Sequence, residues 1–428
     1  MKDELSRSVK TPGAVLMGLG SILGTGLFVS IALATQIAGN GIIISIVIAG
    51  ILATFNGLSS AQLAANYPVS GGTYEYGNIV LGSYWGFSAG WMFLTAKSAS
   101  AATAVLGCAG YLFYLFGIES PDWVFVGSSF FILLVITALV SGGIERSNNV
   151  NKFIVSLTIF GLFSLVIMSS WTKGLPLQPV TDSFTDVSSK SILYGAALMF
   201  VAYTGYGRIA TLGEEVSEPR KTIPKAIIAA MAFIIVLYLA VSLTAIHIMG
   251  AEDFGNTLNG EAAPLMVVAQ ALSVPGLGTL ISVAAITAML GVLLNLILGL
   301  SRVMLGMSRR KDLPTFLSKV DQQSKSPVAS VWVTGAIIGG LVLTGSISFT
   351  WTFSAFTVLI YYAITNLSAF MMDREKQLYP RWIPACGFLG CLFLAFWIEP
   401  KIWISGLILL GIGLIWHTVA KKISGQDH

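Results

Sequence analysis

Charge is what this chain has least of. Only 10% of its 428 residues are Asp, Glu, Lys or Arg, against about 25% in soluble domains, whereas 55% are hydrophobic and the mean hydropathy is +0.81. That balance excludes a soluble globular domain and describes an integral membrane protein. Histidine and cysteine are equally scarce, with three of each. Cys108, Cys386 and Cys391 lie scattered in apolar segments, which excludes a disulfide framework and a cysteine-based metal site. His, Cys, Asp and Ser do not cluster within the apolar runs as catalysis would require, so no enzyme, metal or cofactor is expected. The chain lacks long polar connections, leaving no room for a soluble domain. No cleavable leader is apparent either: Met1–Lys10 is charged, but the apolar run that follows is long and has no small-residue cleavage site.

What is present is a succession of apolar runs. About 20 apolar residues cross a bilayer. On that rule twelve spans are expected, at 15–36, 42–66, 84–116, 122–142, 149–171, 191–214, 224–249, 272–306, 328–345, 350–371, 382–398 and 401–420. Most of the 24 basic residues fall on one side if both termini are cytoplasmic, which sets the orientation. The net charge of +4 therefore reflects topology, and no nucleic-acid partner is expected.

Two spans are interrupted. The first reads Ile22-Leu23-Gly24-Thr25-Gly26-Leu27-Phe28, and the sixth reads Ala202-Tyr203-Thr204-Gly205-Tyr206-Gly207. Glycine and polar residues at mid-membrane let the backbone leave helical geometry. Unpaired backbone groups cannot face lipid, so such openings line a protein-walled cavity. Gly24, Gly26 and Gly205 would keep room there for contacts between ligand and backbone. The interruptions lie five spans apart. Spans 1–5 and 6–10 then read as inverted repeats, with two spans appended, and the openings mark a transport site. The chain divides into a cytoplasmic segment 1–14, repeats 15–171 and 191–371, and an appended unit 382–428. Gly18-Leu19-Gly20-Ser21-Ile22-Leu23-Gly24 superficially matches a nucleotide loop. It lies inside a span rather than after a strand, so nucleotide binding is rejected and Gly18 and Gly20 are assigned to helix packing.

Longer motifs are more specific. Phe200-Val201-Ala202-Tyr203-Thr204-Gly205-Tyr206 is followed by Glu214-Glu215-Val216, Pro219 and Pro224. Tyr67-Pro68-Val69-Ser70-Gly71-Gly72-Thr73-Tyr74 follows the second span, and Ser301-Arg302-Val303 through Asp312-Leu313-Pro314 closes the eighth. With Ile22–Phe28, these stretches resemble the amino acid–polyamine–organocation (APC) superfamily, in order and across most of the chain. The resemblance implies an all-α membrane protein with a leucine-transporter-like 5+5 inverted repeat and two additional C-terminal spans, twelve transmembrane helices in all. It also implies a small amino acid or amine bound at Ile22, Gly24, Thr25 and Gly26 on span 1 and at Phe200, Ala202, Tyr203, Thr204 and Gly205 on span 6. Helix physics agrees: a half-helix N-terminus attracts a carboxylate, and freed carbonyls attract an ammonium.

The chain departs from the family pattern at several points. Gly207 and Arg208 stand where an Asp is usual. An intramembrane Arg is costly, so Arg208 faces protein or water, or pairs with Glu214 or Glu215. Those two glutamates point about 100° apart on a helix, which suits a cytoplasmic gate better than a catalytic pair. Lys97 sits near the middle of span 3 with no acidic residue on its own helix, as a substrate-facing charge, a proton carrier or a structural bond to helix-end carbonyls. Thr158 occupies the place where some proton-coupled relatives carry a lysine. A proton carrier, sodium coupling through Thr158, and an exchanger without a coupling ion all stay open. A cation channel or carrier would need mid-span carboxylates that are missing here. The sequence reads best as a cell-membrane secondary transporter of amino acids, zwitterionic or anionic, working by alternating access. Asn295 is either cavity-facing or helix glue, and His247 and His417 receive no role.

Overall fold

Long apolar runs close their backbone polar groups within helices, because hydrocarbon offers no other partner. The protein, seen here as a computed structural model, follows that rule. The structure describes residues 10–67, 71–143, 148–176, 181–182, 187–210, 216, 218–258, 262–321 and 323–424. Among these residues there is no β-strand.

The first apolar run is in two pieces, as its glycines imply. Helix α1 (Thr11–Ile22) ends with Leu23 in extended geometry, a π turn covers Gly26–Ser30, and α2 (Ile31–Ala38) resumes. After a 3-10 turn come α3 (Ile42–Asn66), a short α4 (Thr73–Val80), α5 (Ser83–Phe116), α6 (Asp122–Ser141) and α7 (Asn148–Lys173). The second interrupted run is α8 (Ser189–Tyr203), a 3-10 turn at Thr204–Tyr206, and α9 (Gly207–Ala210). Then follow α10 (Pro219–Met249), short α11 (Ala251–Asn256) and α12 (Pro264–Ala271), α13 (Leu277–Arg309), α14 (Val328–Val342), α15 (Ile347–Met371), α16 (Trp382–Ala395) and α17 (Pro400–Ser424).

Eight helical stretches among the described residues are long and apolar enough to cross a membrane, and three shorter apolar helices accompany them: Thr11–Ile22, Val328–Val342 and Trp382–Ala395. The protein is thus a multi-pass, all-α membrane protein. The first and sixth apolar runs are broken, and α14 and α16 are only 15 and 14 residues long. Burial separates centre from periphery. The most apolar stretch of α15 is 83% buried and that of α5 72%, whereas those of α6 and α17 are 28% and 22% buried. Helices α5, α13 and α15 therefore form an inner scaffold, and α17 presents Ile408, Ile412, Ile415 and Ile423 outward as a lipid-facing surface. Against the scaffold lies a second group: α3 packs on α8 and α10, and α1 packs on α10 and α7.

Candidate functional site

The two interruptions touch. A Cβ on Gly205 would be driven into the Ser21 carbonyl and would lie 2.6 Å from the Ile22 nitrogen. One on Gly26 would lie 2.6 Å from the Ala202 Cβ and 2.7 Å from its Cα. Glycine is therefore required at both crossings so that two backbones can meet. Gly24 faces Val292 of α13 just as tightly, with 2.6 Å to a Cγ2. These glycines thus make room for backbones to cross, and Gly26 and Gly205 also line the cavity described next. Gly18 and Gly20 pack against Ile209 and Asn151, as packing glycines should.

A cavity of about 530 Å³ starts at this meeting point. Ile22, Thr25, Gly26, Ala202, Thr204 and Gly205 line its deep end, together with Lys97 and Ser100 of α5. It extends between the two helix groups to Gly72, Thr73, Tyr76, Arg208 and Arg302. Near the two breaks, hydrogen bonds tie neighbouring helices together. The Tyr111 hydroxyl donates to the Phe28 carbonyl at 2.9 Å and accepts from the Leu265 N–H at 3.1 Å, tying the π turn to α5 and α12. The Trp351 indole donates to the Leu198 carbonyl at 3.0 Å.

The break in span 1 leaves backbone groups at the cavity. The Gly24 carbonyl accepts from the Leu27 and Phe28 N–H groups at 3.0 and 3.1 Å, so a new helical segment starts there. First-turn N–H groups, here those of Thr25 and Gly26, have no partner within a helix. The Thr25 hydroxyl is buried and unpartnered. Thr25 also lines the cavity, so this hydroxyl is a hydrogen-bonding group at the break that no protein group claims. At the break in span 6, side chains already claim several carbonyls. Thr204 Oγ1 donates to Val201 at 2.7 Å, and Tyr238 donates to Ala202 at 2.9 Å.

Lys97 reaches this break. Its Nζ donates to Thr204 Oγ1 at 2.8 Å, and the residue is only 9% exposed. The bond is to a side-chain hydroxyl rather than to a helix-end carbonyl. Arg208 lines the cavity at its wide end. Glu214 and Glu215, proposed from sequence as its partners and as gate residues, lie outside the described residues. Thr158 is fully buried on α7 with an unpartnered hydroxyl and does not line the cavity.

Three residues expected at the site are placed elsewhere. Gly24 packs on α13. Phe200 is fully buried and meets Tyr362 edge-on, with ring centroids 5.8 Å apart. Tyr203 turns away, its hydroxyl donating to the Ile46 carbonyl at 3.1 Å and its ring lying 5.0 Å from Tyr238. In exchange, Phe93, Trp351, Tyr361 and Tyr362 supply an aromatic wall from α5 and α15. The adjacent tyrosines halfway along a polar-rich apolar run were the available signal for α15. Asn295 lines the cavity, which decides one of the two readings left open for it.

The cavity mouth is braced by a polar cluster that joins two of the sequence motifs. The Tyr74 hydroxyl donates to Asp312 Oδ2 at 2.5 Å, and His417 Nδ1 lies 2.9 Å from Asp312 Oδ1. Trp416 donates to the Asp312 carbonyl at 2.9 Å, and Ser83 lies 2.9 Å from His417 Nε2. Arg310 grips Glu75 through two bonds, and that carboxylate raises the guanidinium's proton affinity further. Burial, and then Asp312, push the Tyr74 phenol far above its ordinary range, so it remains a donor. Asp312→Ala strands Tyr74 and a fully buried His417. It is expected to destabilise the protein by about 2 kcal/mol, read as a lower unfolding temperature in detergent. Asp312→Asn should lose less.

Comparison with known proteins decides the family. The amino acid permease family profile matches residues 13–426. The chain belongs to the amino acid permease family. It is 36% identical over 422 residues to an uncharacterized transporter of Mycobacterium tuberculosis, covering 99% of this chain and 93% of that protein. It is 29% identical to a branched-chain amino acid permease of Bacillus subtilis, over 97% and 93% of the two chains. A methylthioribose transporter of the same organism is 27% identical, over 98% and 95%. The permease thus belongs to the APC superfamily its motifs resemble, and its family and relatives are transporters, not enzymes.

Proposed function

We propose that this permease carries amino acids across the cell membrane by alternating access, holding the substrate where the first and sixth apolar runs open. The observation that carries the reading is the meeting of two interrupted helices on one cavity, with the Thr25 hydroxyl buried beside it and unpartnered. The α-carboxylate would be held by the Thr25 and Gly26 N–H groups at a helix start. The ammonium would go to the freed carbonyls of Ser21 and Ile22, since those of Val201 and Ala202 already accept from side chains. Zwitterionic or anionic substrates are favoured over dications, because Lys97, Arg208 and Arg302 line the cavity and no carboxylate does among the described lining residues.

In this reading, residues 15–171 and 191–371 are inverted repeats within twelve spans, and 382–428 is the appended unit. Both termini are cytoplasmic. The mouth at Arg208 and Arg302 then faces the cytoplasm, so the described state is inward-open, with the outer side closed by Tyr111 and Trp351. The group containing α1, α8 and α10 would move against α5 and α13 to expose the site outward. Glu214 and Glu215 would belong to the inner gate.

A thermal-unfolding screen of the detergent-solubilised protein against the common amino acids tests this. One amino acid, or a few of like charge, should raise the unfolding temperature in a saturable way, by about 2.7 kcal/mol at a hundredfold excess over Kd. No shift with any amino acid, alongside a saturable shift with a sugar or an inorganic cation, would refute it.

A further inference from the structure

The fixed charge at the deep end of the cavity narrows the substrate class. A bound α-amino acid brings its own carboxylate and ammonium, and backbone groups at the two openings suffice for both. Lys97 is additional. Its ammonium can donate three hydrogen bonds, and one goes to the protein, to Thr204 Oγ1. Ser21 and Ile22, proposed to hold the substrate's own ammonium, line the same cavity as Lys97, so the two cations would share it. Two cations in one low-dielectric cavity repel, and the single carboxylate of a zwitterion leaves the pair with a net positive charge that a second carboxylate would offset.

Among the described residues, the lining holds no carboxylate to pair with Lys97. The same lining includes Ser100, Thr204, Phe93, Trp351, Tyr361 and Tyr362, and its other charged residues are Arg208 and Arg302, each with contacts of its own. A charge held this deeply is stable only when paired and hydrogen-bonded. Room for the pairing group exists, because the cavity that Lys97 lines measures about 530 Å³.

We infer that Lys97 is a specificity-determining residue that takes a second carboxylate, so that the permease prefers an α-amino dicarboxylic acid over its neutral amide. The inference rests on the cavity being the amino acid site. Arg208 and Arg302 at the mouth would add a positive potential that draws such an anion in. Chain length is read from the same geometry: the side-chain carboxylate must reach Lys97 while the α-carboxylate stays at Thr25 and Gly26.

The test compares isosteres that differ only in charge. L-glutamate with L-glutamine, and L-aspartate with L-asparagine, would be measured as competitors of labelled amino acid uptake in proteoliposomes and as stabilisers in thermal unfolding. The acid of at least one pair should win by about tenfold or more in wild type. Lys97→Arg should retain that preference, and Lys97→Gln should erase or invert it. Wild-type protein that binds both amides as well as their acids would overturn the inference while leaving amino acid transport intact. So would a preference for the acid that survives in Lys97→Gln. The wild-type comparison decides the matter even if Lys97→Gln does not fold. Failure of every amino acid to bind would instead sink the proposed function itself.

Discussion

Gly205→Ala is expected to abolish amino acid uptake and to lower the unfolding temperature. The added methyl would enter the Ser21 carbonyl and lie 2.6 Å from the Ile22 nitrogen, and backbone atoms cannot swing aside as a side-chain end can. Overpacking of this kind costs about 1–3 kcal/mol where the structure can yield. Here any yielding pushes the openings of spans 1 and 6 apart, which removes the proposed site. Gly207→Ala is the matched control two residues on. Its Cβ would meet only the Tyr362 hydroxyl, at an ordinary 3.5 Å, so stability should be unchanged. Wild-type uptake and unfolding temperature in Gly205→Ala would show that the two openings do not meet as described.

Lys97→Met is expected to abolish the pH dependence of uptake and concentrative transport and to weaken binding of an acidic amino acid to about that of its amide, while leaving binding of a neutral amino acid much less affected. The substitution keeps most of the bulk and removes the charge at the deep end of the cavity. The titratable and charged groups sharing the lining are Tyr76, Tyr361, Tyr362, Arg208 and Arg302, with no carboxylate among the described ones. If Lys97 loads a proton together with the substrate, wild-type uptake should rise as the pH on the loading side falls and should decline as it rises. An anionic substrate strengthens that linkage, since proton and substrate then stabilise each other in the site. Counterflow, which needs no net driving force, should survive in the variant better than uphill transport. Sodium coupling is the rival. The Thr158 hydroxyl is fully buried and unpartnered, and in that case uptake requires sodium and Thr158→Val loses the requirement. A Lys97→Met variant with an unchanged pH profile and normal uphill transport would leave the lysine as a structural bond to Thr204.

The membrane class and both helix interruptions were legible in the sequence because they follow from local chemistry. Apolar length dictates helices, and Gly24-Thr25-Gly26 and Thr204-Gly205 interrupt them. Lys97 was legible as an anomaly, since an unaccompanied charge in an apolar run needs a partner; Thr204, 107 positions away, was not legible as that partner. The motifs around Tyr74 and Asp312 were visible separately, but their contact spans 238 positions and arises only from the packing of α4 against the end of α13. Phe200 and Tyr203 were expected at the ligand because they neighbour the break. Which face of α8 meets the cavity depends on its packing against α3 and α10, and that packing turned Tyr203 toward Ile46 and Tyr238. Tyr361 and Tyr362 escaped notice for the converse reason: α15 is unbroken, so the adjacent tyrosines in a polar-rich apolar run were the one local mark of its central position.

The central claim is that the substrate is an amino acid handed across the membrane at these two openings. Counterflow in proteoliposomes tests it most directly. Vesicles containing the purified permease would be loaded with an unlabelled amino acid that stabilises the protein, then diluted into a trace of the labelled compound. Transient accumulation of label above equilibrium, dependent on the internal load and lost in Gly205→Ala, is the predicted result. Label entry that is indifferent to the internal load, or equally strong in Gly205→Ala, would contradict it.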